Sequence, residues 1–540
     1  MYNNKKILAI IPARWSSKWI PKKNIKPLNW KPLIHYTIDN LKSSKIIDDI
    51  VLTTESEEIK NNCKSKEIII HNRPESLSDD ATPLDPVIFD VCEKYNNYDY
   101  IITFQPTSPL IKLKTIEKAI KNFIESWKDS FMSLREETHL YWKEENWKII
   151  ADFEKRVNRQ FLPKKYVETW AIIWVKKDYF LTNNTRININ SCDFVITWEQ
   201  ESTDIDTYAD WVNVESLLNQ KNIAINVIWN NKTWLWHIYR QLHIALNLNT
   251  KPTFFTKKWN NLAKKIINEN FYEIIEYDNE EYLIKFLKEK NIKIIINDIL
   301  DTSKKYIDSL KENELKVINF EDLWEWKNYA DFTINELYEF TDDKENILNG
   351  HKYIILRDDI INQEKKKITK DVKNITISCG WTDPNNLTCI YLQSLENINY
   401  NWNINIILWP WYSHKKKLEN ITKWKQNIKI LENISNMWEV IQNADIMLTS
   451  NGRTIYEITC IWVPTISISQ NEQEMHHTFS NFSWCIKNLW LVNFIDKTKL
   501  EEEIKNLIFN YDERKVINKK MLSYNLENWI NKFLDILNKL

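Results

Sequence analysis

The chain has 540 residues, enough for two or three domains, and 43% hydrophobic residues, enough for substantial cores. Its 73 basic and 74 acidic residues leave a formal charge of -1, which excludes a global pull toward nucleic acid or an anionic membrane. The seven cysteines are scattered, without a Cys-x-x-Cys spacing, and no apolar run approaches the ~18 residues of a membrane span. Disulfides, zinc and a membrane anchor are therefore not expected, and a cytoplasmic protein is. In chain order the pattern reads strand 7–11, helix 32–41, strand 50–53, helix 86–94, strand 100–104, helix 116–124 and strand 131–134. This alternation predicts an α/β fold with a mostly parallel sheet covered on both faces and ligands at the carboxyl ends of its strands. After a helix at 214–218 the pattern restarts at the strand 224–228, followed by a helix at 239–248. It restarts again at the strand 374–378, beyond the charged stretch 363–373. The expected domains are 1–222, 223–370 and 371–540, the last two forming a pair of Rossmann-like lobes with a cleft between them.

Twenty-six tryptophans stand against three glycines. Average glycine usage is ~7% of residues, because tight turns need positive φ. Many of the tryptophans sit at turn positions. The loop after the first strand reads Pro12-Ala-Arg-Trp-Ser-Ser-Lys-Trp-Ile20, and the loop after strand 224–228 reads Trp229-Asn-Asn-Lys-Thr-Trp-Leu-Trp-His237. Such positions are read as glycines of the source cell, encoded by UGA codons that this sequence renders as tryptophan. Trp142 and Trp211 lie in element-like contexts and are read as genuine. The alternative is a carbohydrate binder with aromatic platforms.

Arg14, Ser16, Ser17 and Lys18, with presumed glycines at 15 and 19, make a basic flexible loop whose backbone donors and cations suit phosphates, against the plain alternative of a solvated turn. The spacing is not that of a Walker A loop. Asp204 and Asp206, two apart in an extended segment, put both carboxylates on one side. Taken alone such a pair reads first as a solvated loop, and the alternative is a pair of hard oxygens for Mg²⁺ shared with phosphate.

Residues 11–31, Arg73-Pro-Glu-Ser-Leu-Ser-Asp-Asp80, Gln105-Pro-Thr-Ser-Pro-Leu110, Arg159-Gln-Phe-Leu-Pro163, Glu168-Thr-Trp-Ala-Ile172 and Asp204-Ile-Asp206 occur in one order over 1–218. With glycine restored, this series resembles the acylneuraminate cytidylyltransferases, with Ile111 standing where that family often has arginine. The resemblance implies a GT-A-like nucleotidyltransferase domain that moves CMP from CTP to a nine-carbon keto acid, releasing pyrophosphate. It implies CTP contacts at Arg14, Trp15, Ser16, Lys18, Asn24, Asp80 and Thr82. Gln105 and Arg159 would hold the acid sugar, with Mg²⁺ on Asp204 and Asp206. Arg14, Lys18, Asp204 and Asp206 are the expected catalytic groups. Proteins resembling this domain are usually homodimers.

In the second domain, His237 begins a helix after the tryptophan-punctuated loop. A helix N-terminus disfavours the imidazolium, so a neutral general base is expected, against the plain alternative of a packed or capping histidine. His243 is read as structural. Ser378-Cys-Gly-Trp-Thr-Asp-Pro384, Thr449-Ser-Asn-Gly-Arg-Thr-Ile-Tyr-Glu457, Trp462-Val-Pro-Thr465 and Asn471-Glu-Gln473 follow. Gly452 before a helix offers N–H groups to a diphosphate, and Glu457 one turn later is placed to hold ribose hydroxyls. Over 224–540 the chain resembles the hydrolase that splits UDP-2,4-diacetamido-2,4,6-trideoxy-β-L-altropyranose, a relative of the two-lobed GT-B glycosyltransferases. That resemblance implies a UDP-sugar site at Trp236, Gly380, Trp381, Gly452, Arg453, Thr454 and Glu457, with His237 activating water and no metal needed. Three readings of this half stay open: hydrolase, glycosyltransferase and non-catalytic sugar-nucleotide binder. The substrates implied for the whole chain are CTP, a nonulosonic acid and a UDP-sugar.

Overall fold

Alternate residues of the first strand, Ile7–Pro12 (β1), enter separate cores: Ile7, Ala9 and Ile11 join one cluster, Leu8 and Ile10 another. An isoleucine-rich run of this kind is stable only with both faces covered, the condition of a parallel sheet between helices. The computed structural model describes residues 2–17, 19–79, 81–228, 236–339, 344–380, 382–398, 402–409, 411–432, 434 and 436–540. It comprises two units, Met1–Gln220 and Lys221–Leu540.

In the first unit β1 is followed by β2 (Asp49–Thr54), β3 (Ile69–Asn72), β4 (Tyr100–Phe104), β5 (Ser130–Glu136), β6 (Tyr166–Lys176) and β7 (Cys192–Ile196). The spatial order is β7-β5-β6-β4-β1-β2-β3. Only β6 runs antiparallel to its neighbours. Strand order reverses between β1 and β4, so the crevice for a ligand opens at their carboxyl ends. The unit ends with the helix Tyr208–Asn219, whose Thr207 and Asp210 form a capping box, with Trp211 buried beneath it.

The second unit holds two sheets. The first contains β8 (Ile223–Val227), β9 (Thr253–Lys257), β10 (Ile274–Tyr277), β11 (Ile294–Asp298), β12 (Lys316–Phe320), β13 (Phe332–Asn335) and β14 (Ile347–Asn349), in the order β10-β9-β8-β11-β12-β13-β14. The second contains β15 (Asn374–Ser378), β16 (Asn403–Leu408), β17 (Ile428–Glu432), β18 (Ile446–Ser450), β19 (Thr465–Ser469) and β20 (Lys487–Leu491), in the order β17-β16-β15-β18-β19-β20. Every pairing in both is parallel. Both follow the doubly wound 3-2-1-4-5-6 order, so each has a switch point beside its first strand: β8/β11 and β15/β18. The last helix, Trp529–Lys539, returns to the first of these sheets, where Trp529, Phe533, Ile536 and Leu537 join the core containing Val227 and Phe320.

Eight tryptophans among the described residues have positive φ: 30, 127, 147, 170, 259, 462, 484 and 490. Two of them complete two-residue hairpin loops. Asn29 and Trp30 (φ 46° and 65°) join strands Pro27–Leu28 and Lys31–Pro32, and Asn146 and Trp147 (φ 50° and 63°) join Trp142–Glu145 and Lys148–Ala151. Such turns take Asn-Gly by preference, because both central residues need φ above zero. Trp462 follows the helix Thr454–Ile461 at φ 70°. Its N–H donates to Thr459 O (3.2 Å) and that of Val463 to Ile458 O (3.3 Å), the hydrogen-bond pair of a Schellman cap, where glycine is usual. Trp30 and Trp147 are 95% and 96% exposed, so no packing compensates their backbone strain.

Candidate active sites of the two units

In the first unit the loop after β1 is tied down from below. The Trp15 N–H donates to Glu55 Oε1 at 2.5 Å, and Asn24 Nδ2 donates to Arg14 O at 2.9 Å. Glu55 also faces Arg73, whose Nη1 lies 3.6 Å from Oε2 while Nη2 donates to Thr53 O at 2.9 Å. Arg14 is half-buried and Ser16 exposed. Lys18 and Asp80 lie outside the described residues. Thr82, half-buried, donates its N–H to Asp79 O.

Gln105 follows β4, on the other side of the switch point, and its Oε1 accepts from Thr107 Oγ1 at 3.4 Å. The Ile205 N–H donates to Thr107 O at 2.9 Å, docking the 204–206 segment on this loop. The two aspartates then differ. Asp204 is largely enclosed, and its Oδ1 is buried without a partner. Burial raises its pKa against the Thr107 hydrogen bond, with Asp206 adding to the rise. Asp206 is exposed and accepts from Lys23 Nζ at 3.1 Å. A divalent cation would relieve the orphaned oxygen of Asp204, and these carboxylates are the hard donors Mg²⁺ prefers. No cluster of three or more metal-ligating side chains occurs among the described residues, so phosphate oxygens would have to complete such a site. Arg159 lies on the exposed turn Arg159–Phe161, and no hydrogen bond ties its side chain to Gln105 or Asp204.

The second unit places His237 and Asp298 at the β8/β11 switch point. His237 belongs to the first turn of the helix Trp236–Leu246, and Asp298 ends β11. His237 Nδ1 is hydrogen-bonded to Asp298 Oδ1. Asp298 also accepts from Arg240 Nη2 (2.6 Å, Oδ1), Arg240 Nε (2.8 Å, Oδ2) and Gln241 Nε2 (2.9 Å, Oδ2). Burial opposes its ionisation, but the charges of Arg240 and His237 outweigh that and hold the carboxyl well below the usual range. His237, expected as a neutral base at a helix N-terminus, thus has a direct carboxylate partner that the sequence did not show.

Arg240 is fully buried and continues outward, donating through Nη1 to Glu336 Oε1 and to Glu321 Oε1 (3.3 Å). Glu321 sits just past β12 at φ 54° and accepts the Glu336 N–H at 3.1 Å. Burial pushes its pKa up to about 8 against the charge of Arg240, with Glu336 adding to the rise.

Arg453, expected in the UDP-sugar site, donates to Glu336 Oε1 and, at 2.6 Å, to Ile355 O. Its guanidinium carbon lies 3.2 Å from the centre of the Trp236 ring, whose Nε1 is buried without a partner. The indole therefore occupies the space against Arg453, next to His237. A glycine at 236 would leave that space open.

At the β15/β18 switch point Gly380 adopts φ 82°, and a side chain on Gly452 would lie 3.8 Å from Ser450 Oγ and Glu474 Oε1. Trp381 lies outside the described residues. Thr454 opens the helix Thr454–Ile461. Glu457 is half-buried, and burial raises its pKa against the charges of Arg357 and Arg453. His243 packs on Trp529 with ring centres 5.0 Å apart, in the structural role expected of it.

The first unit carries a recognised family signature. Residues 8–160 match the cytidylyltransferase family model. A pseudaminic acid cytidylyltransferase of Campylobacter jejuni is 29% identical over 226 residues, which cover 38% of this chain and 93% of that protein. An uncharacterised protein of Methanocaldococcus jannaschii is 31% identical over 271 residues, 46% of this chain. The chain thus spans 56%, about half, of that relative's length. Among solved structures, Acinetobacter baumannii MurG aligns with 59% of this chain and all of its own at 12% identity and a TM-score of 0.48.

Sequence reasoning missed Asp298, Arg240, Glu321 and Glu336 in the second unit and Glu55 in the cytidylyltransferase-matching one. Each follows a strand or lies one helical turn from a candidate, and only strand order brings them to a switch point. It also missed a buried ladder on the opposite face of the β8 sheet. Asn226, Asn297 and Asn319 stand in register on β8, β11 and β12, and their amides bond at 3.3 and 3.1 Å.

Proposed function

We propose that the chain carries two activities on sugar nucleotides. The first unit transfers CMP from CTP to a nonulosonic acid and releases pyrophosphate. The cytidylyltransferase match over residues 8–160, with its basic loop at the switch point, carries this reading. The Campylobacter relative, named for pseudaminic acid, supports that substrate class. Arg14 and Lys18 hold the triphosphate, Asn24 and Glu55 fix the loop that presents them, and Gln105 orients the acid sugar. Asp204 and Asp206 hold Mg²⁺, which when bound neutralises phosphate charge. Positioning and charge neutralisation supply most of the rate in such a transfer.

The second unit releases UDP from a UDP-2,4-diacetamido-trideoxy sugar. His237 at the switch point, bonded to Asp298, carries this reading. Its imidazole takes a proton from water as the oxygen attacks the anomeric carbon and UDP departs. The same base would serve a sugar hydroxyl, so glycosyl transfer is the second reading. Incubation with the UDP-sugar in buffer, with and without acceptor sugars, separates them. Free UDP without acceptor supports hydrolysis, and UDP only with acceptor supports transfer.

We also propose that residues 15, 19, 30, 147, 236 and 462 are glycine in the source cell. The positive φ at 30, 147 and 462 and the indole filling the space beside His237 support this. UGA codons at these positions, with UGG at 211, would agree. UGG throughout would refute it.

A further inference from the structure

We propose that Asp298 is a positioning residue for His237, holding the proton on Nδ1 so that Nε2 faces the substrate as the proton acceptor. This rests on the reading of the second unit as a UDP-releasing enzyme. Asp298 is fully buried, and both its oxygens are fixed, by two Arg240 nitrogens and by Gln241 Nε2. It cannot turn away from the ring without leaving buried donors unpaired. Two groups compete for Nδ1. Asp298 Oδ1 is bonded to it, and Arg240 Nη2 lies 3.0 Å away. Were Nδ1 bare, its lone pair would face a carboxylate oxygen with no hydrogen between. With Nδ1 protonated, it donates to Oδ1 while Arg240 Nη2 donates to the same oxygen at 2.6 Å, and every group is satisfied. In the neutral ring the acceptor is then Nε2. The two residues are 61 apart in sequence and come together because β8 and β11 are adjacent. The proton taken from water resides on Nε2. The resulting imidazolium is stabilised by Asp298, which stays ionised under Arg240.

Among the described residues, the charged groups around this pair are Arg240 on the same helix, Asp298 on β11, Glu321 after β12, Glu336 after β13, and Arg453 just before the helix Thr454–Ile461. Of these, Asp298 and Arg240 are the ones bonded to the ring.

The decisive measurement is ¹⁵N NMR of the full chain labelled at histidine, with His237 assigned by its disappearance in His237→Ala. The neutral ring is expected as the Nδ1–H tautomer, and the Nε2–H tautomer would overturn the proposal. Kinetics form the second arm, with UDP-2,4-diacetamido-2,4,6-trideoxy-β-L-altropyranose as probe. Asp298→Asn is expected to lower kcat for UDP release by about 10²–10⁴-fold with KM little changed. A fully active Asp298→Asn would count against the role. If Asp298→Asn does not fold, the wild-type tautomer decides alone. If wild type and His237→Ala release UDP equally, the enzymatic reading of the unit fails, and the NMR result still judges the pairing.

Discussion

Arg453, just before the helix that follows β18, reaches Glu336, just past β13, so one carboxylate oxygen joins the two sheets of the second unit. Arg240 donates to the same oxygen, and the Ile355 N–H takes the other at 2.9 Å. Glu336 thus balances two buried guanidinium groups, one of which fixes Asp298 and through it His237. Removing one member of such a network costs more than the pair itself contributes, because a charge is left buried and uncompensated. Glu336→Ala should destabilise the second unit by about 3–5 kcal/mol in urea unfolding. Glu336→Gln, which keeps both acceptor and shape, should cost less. Equal stability of wild type and Glu336→Ala would remove the network from the account.

Glu321 gives a pH signature of opposite sign to the usual carboxylate. Its folded pKa, near 8, stands above the unfolded value. The folded state therefore holds a proton that the unfolded state has released. Stability from this group is intact below pH ~4.3 and falls progressively up to about pH 8. Glu321→Gln keeps the acceptor for the Glu336 N–H and cannot ionise, so its melting temperature should decline less than wild type between pH 5 and 8. Parallel curves would contradict the assignment.

Asp204 and Asp206 differ in enclosure, and their variants should differ with it. Asp204→Asn removes the more enclosed carboxylate, with its one orphaned oxygen, and should lower CMP transfer by about two orders of magnitude or more, without restoration by excess Mg²⁺. Asp206→Asn loses an exposed carboxylate shared with Lys23 and should be partly restored as Mg²⁺ is raised. Transfer is followed by pyrophosphate release across a Mg²⁺ series.

Tryptophans at turns and in cores should respond in opposite directions to replacement by glycine. Trp30→Gly and Trp147→Gly relieve left-handed strain and should stabilise by about 1–2 kcal/mol each. Trp174 and Trp211 are buried, and their glycine variants should destabilise by about 3–5 kcal/mol or more. Thermal melts of the four variants test this. A loss at all four positions would mean that the turns are built for indole.

Much of the fold was legible because its strands are isoleucine runs bounded by polar turns. Strands 100–104 and 374–378 stand as expected, and helix 214–218 extends to Tyr208–Asn219. The loops at Arg14 and Gly452 were legible as candidate site loops from their backbone demands. Asp298 was not, since it closes Ile294-Ile-Ile-Asn-Asp298 with no periodic relation to His237, and Arg240 reads as an ordinary helical arginine. The asparagine ladder was hidden for the same reason. Its members sit alone in apolar strands, and only parallel register brings them together. Arg453 was legible as a site residue, but its partner Glu336 was not.

The most direct test of the two-site account is one reaction mixture containing full-length protein, Mg²⁺, CTP, pseudaminic acid and the UDP-linked 2,4-diacetamido sugar, with both products quantified. The account requires CMP-pseudaminate and UDP from wild type, loss of the first alone in Arg14→Ala, and loss of the second alone in His237→Ala. Failure of wild type to form a CMP-sugar from pseudaminic, legionaminic or sialic acid, or loss of both products together in either variant, would contradict it.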